Sequence, residues 1–197
     1  MTEQISVLCF AGSLRADSFN KKLVKVAMAG AQEAGAKVTF VDLNELPMPV
    51  YNGDDETKSG LPENAKKFKT LMKEHDAFLI ASPEYNSSVS AALKNAIDWA
   101  SRSEADEKPL EAFKGKVAGV MASSPGALGG LRGLVHLRSI LGNIGVIVVT
   151  EQTTVPSAMK AFNDQGDLTD EKLQASAKNV GARVCAVASA LKNASQR

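Results

Sequence analysis

Residues 5–20 read ISVLCFAGSLRADSFN. Ile5 to Ala11 is an unbroken apolar run with β-branched members, the pattern of a strand buried on both faces. A polar turn headed by Gly12 ends it. From Phe19 onward, Leu23, Ala27, Ala31 and Ala34 recur at helical spacing, and Gly35 closes the segment. The unit is therefore strand, short polar loop, helix.

The rest of the chain repeats that unit. Buried-strand runs are expected over 38–43, 76–82, 116–122 and 144–150, and helices over 63–74, 89–101, 131–141 and 170–191. Repeated βα units imply a parallel sheet covered on both faces. Five such strands in 197 residues fit an α/β, flavodoxin-like, doubly wound five-stranded sheet of order 2-1-3-4-5, helices on both faces. No internal repeat, linker or low-complexity stretch interrupts it, so one domain over 1–197 is expected. Two long connections, 44–62 and 151–169, read as loops at the carboxyl edge of the sheet. Within the first, Asp54-Asp55-Glu56 reads as a solvated loop face.

Composition narrows the function classes. Hydrophobic residues at 44% and charged residues at 23% argue against disorder, collagen and coiled coil. Lys plus Arg number 23 and Asp plus Glu 22, so no global field exists to hold nucleic acid or an anionic membrane. No apolar run approaches the roughly 18 residues of a membrane span. Met1–Gln4 carries no basic region of a secretory leader. The only cysteines, Cys9 and Cys185, lie outside any CxxC and fit buried thiols of a reduced, cytoplasmic protein. No spacing of His, Cys, Asp or Glu suggests a metal.

In a 2-1-3-4-5 sheet, ligands bind outside the carboxyl ends of the strands, between the first and third. The loops there are 12–20, 82–89 and 122–132. The first offers a helix N-terminus, where free N–H groups and the dipole favour an anion. Ser13, Ser18 and Asn20 add short polar side chains, and Arg15 adds a fork suited to phosphate oxygens. Ser18 is equally placed as an ordinary helix cap. Neither GxGxxG nor GxxxxGK[ST] occurs. The second loop, SPEYNSSV, brings the flat face of Tyr85 and the polar Asn86 after Pro83; a planar heteroaromatic ring fits it, and so does a capped surface turn. The third, ASSPGALGGLR, has three glycines that permit close backbone approach. Because the fold gathers all three around one crevice, a phosphorylated ligand with a planar ring is expected.

These residues resemble the NAD(P)H-dependent FMN reductase family, in particular its chromate and quinone reductase branch. The resemblance rests on GSLRADSFN at 12–20, SPEYNSSVSAALKNAIDWASR at 82–102 and SSPGALGGLR at 123–132. It implies an FMN cofactor and NAD(P)H as co-substrate, with ping-pong hydride transfer through the flavin to quinones, free flavin, chromate or similar acceptors. It implies that Ser13, Arg15, Ser18 and Asn20 hold the phosphate. Pro83, Glu84, Tyr85 and Asn86 then line the ring, and Ser123 and Gly126 support its ribityl side. The flavin carries the chemistry, so no side chain is expected to be catalytic. The Glu84 side chain is expected in solvent or in a contact between subunits, since family members are dimers or tetramers. Ser87 and Ser90 depart from the family pattern and are expected at the pocket rim; His75 and His136 are expected away from it. The competing reading is a flavodoxin-like electron carrier without nicotinamide turnover. Arg15 and the near-neutral charge favour the enzyme.

Overall fold

A computed structural model describes residues 4–195. The reading of Met1–Glu3 as lacking a leader lies outside them. Five long strands form the sheet: β1 (Ser6–Ala11), β2 (Lys37–Val41), β3 (Ala77–Ala81), β6 (Val117–Ser123) and β7 (Ile147–Val155). A two-residue hairpin, β4 (Glu84–Tyr85) with β5 (Ser88–Val89), follows β3. The sheet order is β2-β1-β3-β6-β7 and every pairing in it is parallel, which is 2-1-3-4-5 counted over the long strands. β3 and β6 are buried along their whole length, as their unbroken apolar runs require.

Helices α1 (Phe19–Glu33) and α7 (Glu171–Ser195) cover one face, over a core that includes Val7, Cys9, Leu79, Met121 and Val184. Helices α3 (Glu63–Glu74), α4 (Ala91–Ala100) and α5 (Leu131–Asn143) cover the other, over Leu8, Phe10, Phe78, Ile80, Leu93 and Leu134. Both cysteines are free and buried. Burial, with Cys185 nearby, pushes the Cys9 thiol up to about 12. No helix among the described residues is long and apolar enough to cross a membrane.

The two long connections are more ordered than expected. The first holds a 3₁₀ turn (Leu43–Glu45) and α2 (Gly53–Ser59). Asn52 caps α2, accepting from the Asp54 amide at 3.0 Å, and Asp54, Asp55 and Glu56 form its first turn. The acidic run is thus a helix start favoured by the dipole rather than a loop, with Asp54 and Asp55 exposed as expected. Glu56 also binds Arg102 at 2.9 Å and Tyr51 at 2.8 Å, fastening α2 toward the end of α4. The second connection is shortened because β7 runs on to Val155 and a short helix, α6 (Ala158–Ala161), follows it. β7 is a sheet edge, and the polar run 151–154, half-buried or buried, hid its second half.

Candidate cofactor cleft

The three expected loops meet at the carboxyl ends of β1, β3 and β6. They frame an open cleft lined by Ser13, Arg15, Ser18, Asn20, Pro83, Glu84, Tyr85 and Ser123, joined by Phe19, Ser124 and Pro125. Asn86 and Gly126 lie outside that lining. Asn86 and Ser87 are the two turn residues of the β4–β5 hairpin, at φ 51° and 65°, and Gly126 is exposed on the third loop.

At one end stands the start of α1. Ser18 is its N-cap, and its hydroxyl oxygen accepts from the Lys21 amide at 3.4 Å. The helix offers no acceptor to the amides of Phe19 and Asn20, and no acid occupies its first turn. The nearby Asp17 is paired with Lys22 at 2.7 Å, which holds its carboxyl below the usual range. Arg15 is exposed and forms no ion pair with another described residue. Ser13 is buried and its oxygen accepts from the Arg15 amide at 3.4 Å. The first turn is therefore electropositive.

The Asn20 side chain points elsewhere. Its Nδ2 donates to the Ser123 carbonyl, and its Oδ1 accepts from the Ser123 amide, both at 2.9 Å. The Ser123 hydroxyl donates to the Val155 carbonyl at 3.3 Å.

At the other end is the hairpin. Pro83 is buried and Tyr85 is 55% exposed. The Glu84 side chain is neither in solvent nor free for another subunit. Its Oε2 accepts from the Arg132 and Gly133 amides at 3.0 and 3.2 Å, and its Oε1 from Arg132 Nε at 2.8 Å. α5 has no side-chain cap of its own, because Gly130 stands there in the left-handed region at φ 93°. Glu84 serves as a cap donated from 48 residues away. A Cβ on Gly130 would meet the Ala122 Cβ at 2.6 Å, so only glycine admits this approach. Burial pushes the Glu84 carboxyl up, but Arg132 and the α5 amides outweigh it and hold the group below its ordinary 4.5.

A lowered folded value means that this carboxylate adds stability above its unfolded value and loses it as pH falls toward the folded one. Glu84→Gln is therefore expected to cost about 1–2 kcal/mol at neutral pH. The gap from wild type should close as pH drops below the ordinary carboxylate value, read by urea unfolding at several pH values. A gap independent of pH would contradict the ion pair.

One other expectation differs from the structure. Ser90 is not at the rim: it is buried, caps α4 by accepting from the Leu93 amide at 3.1 Å, and donates to the Gly12 carbonyl at 2.5 Å. His136 lies outside the cleft lining as expected, its Nδ1 2.9 Å from the Ser88 hydroxyl of the hairpin. His75 is buried, with both ring nitrogens bonded, to Leu71 and Thr39. Phe19, Ser124 and Pro125 went unassigned residue by residue, although each adjoins a residue that was named.

Residues 5–160 match the family described as NADPH-dependent FMN reductase. The chain belongs to this family. It is 36% identical over 173 residues to an NAD(P)H-dependent FMN reductase of Pseudomonas aeruginosa, covering 87% of this chain and 89% of that one. It is 35% identical over 155 residues to a quinone reductase of Escherichia coli, covering 77% of each. Among solved structures, a flavoenzyme NAD(P)H:(acceptor) oxidoreductase from Paracoccus denitrificans superposes with TM-score 0.74 at 31% identity, over 91% of this chain and 97% of that one. The chain is an oxidoreductase, and its sheet places the cleft where the strand order reverses.

Proposed function

We propose that the protein carries FMN in this cleft and oxidises NAD(P)H, passing electrons to quinones or comparable small acceptors such as free flavin or chromate. One observation carries the reading. In a member of the FMN reductase family, an acid-free helix start with Ser13, Arg15 and Ser18 shares one cleft with the Pro83–Tyr85 wall.

The residues fit the cofactor. A doubly charged phosphate suits the α1 N-terminus, with hydroxyls from Ser13 and Ser18, the amides of Phe19 and Asn20, and the guanidinium of Arg15. A flat ring suits the walls made by Pro83 and Tyr85 and by Pro125 and Phe19. Bound FMN supplies the acceptance of hydride and its onward delivery as electrons.

The protein's part is to bind, orient and shield. The lining includes no imidazole and no thiol, and Glu84 is committed to Arg132 and the α5 amides. Water therefore supplies the protons that a reduced quinone takes up. The nicotinamide and the acceptor use the same open side of the cleft in turn, so the nicotinamide leaves before the acceptor enters. The rest of the reading is one FMN-binding domain, in the cytoplasm, assembled as a homodimer or homotetramer. Free buried thiols support the compartment. Leu131 and Val135, exposed one turn apart on α5, support the assembly.

Initial rates at varied NADPH and quinone test the order. Parallel double-reciprocal lines are expected. Intersecting lines would show nicotinamide and acceptor bound together and overturn it.

A further inference from the structure

Each wall of the cleft is tied to a neighbour by a side chain bonding a backbone. Asn20, at the start of α1, reaches 103 residues along the chain to occupy both the amide and the carbonyl of Ser123. Ser90, at the end of the hairpin loop, donates to the Gly12 carbonyl in the first loop. Glu84, in the hairpin, accepts from the α5 amides that close the third loop. Asn20, Ser90 and Ser123 are all buried. First loop to third, second to first, and second to third: the ties form a closed ring.

We propose that Asn20, Ser90 and Glu84 are positioning residues that hold the three walls at their working separation before any cofactor enters, and that the Asn20 side chain is a brace rather than a phosphate ligand. The inference rests on the FMN reading given above and deepens it. The planar carboxamide meets both backbone groups of one residue, a pairing that fixes distance and orientation together. A ring closed by the protein's own bonds removes the cost of ordering loops on binding. Loss of a brace therefore weakens every part of the ligand's contact, whereas loss of a phosphate ligand weakens only the phosphate's.

Riboflavin, which lacks the phosphate, separates the two roles. Binding of FMN and of riboflavin to the apoprotein is measured by fluorescence quenching for wild type and Asn20→Ala. Both affinities are expected to fall about tenfold, leaving their ratio unchanged. Exchange of the Ser123 amide hydrogen in the apoprotein should quicken, because its acceptor is gone. A loss confined to FMN would make Asn20 a phosphate ligand, and no loss for either flavin would also overturn the brace. If wild type bound neither flavin, the FMN reading would fail. The brace would then stand or fall on the Ser123 exchange rate alone, with an unchanged rate overturning it. Should Asn20→Ala not fold, Ser90→Ala carries the same flavin comparison on the first-loop tie: equal losses for both flavins support the ring, and a selective or absent loss overturns it.

Discussion

Replacing Arg15 by alanine is expected to raise the FMN dissociation constant about ten- to a hundredfold and to leave riboflavin binding unchanged. A charge-assisted contact to a phosphate is worth about 1.5–3 kcal/mol, and exposure places Arg15 toward the lower end. The chain carries a formal charge of only +1, so no broad field can replace this local one. Arg15 is in no ion pair with another described residue, so its fork needs no release before it binds. Arg15→Lys should recover part of the loss, since a point charge remains without the two-pronged geometry. Fluorescence titration of the apoprotein reads all of this. Unchanged FMN affinity in Arg15→Ala would place the phosphate elsewhere.

The largest stability effect is expected at Gly181, where α7 crosses α1. A Cβ there would lie 2.0 Å from the Ala27 carbonyl oxygen and 2.8 Å from the Ala31 amide nitrogen. On the opposite helix, a Cβ on Gly30 would lie 2.1 Å from the Lys178 carbonyl oxygen. These neighbours are backbone atoms and cannot swing aside. The helices must separate, opening a core that includes Val24, Ala27, Ala177 and Val184. Gly181→Ala is expected to cost more than about 3 kcal/mol, at the upper end of overpacking losses. Gly142, in α5 with nothing within 4 Å of its Cβ position, is the control. Gly142→Ala should gain about 0.5–1 kcal/mol from helix propensity. Urea denaturation compares the two. A Gly181→Ala protein within about 1 kcal/mol of wild type would contradict the close crossing. The consequence reaches the cleft as well, because α1 begins at the first of the cleft loops.

The fold was legible where burial dictated residue type. β1, β3 and β6 lie inside the sheet, so their apolar runs are unbroken, and the strand order follows from the βα repeat. Legibility failed where a different force was at work. α2 is held by a cap, the helix dipole and ion pairs on an acidic run, with no buried residue to announce it. The second half of β7 is polar because it edges the sheet. The cleft's position was readable from topology and its loops from composition. The partners were not. Asn20 to Ser123 and Glu84 to Arg132 join residues 103 and 48 apart, with no periodicity linking them. That distance is why the Glu84 side chain read as facing solvent or another subunit. The structure makes each the other's explanation.

The central claim is that this cleft holds FMN that a nicotinamide can reduce. Its most direct test is the visible spectrum of FMN-loaded protein before and after NADPH or NADH is added without oxygen. The account predicts that at least one nicotinamide bleaches the flavin absorbance and that a quinone then restores it. Flavin that binds but keeps its colour under both nicotinamides would leave only an electron carrier, and protein that takes up no FMN at all would contradict the account at its root.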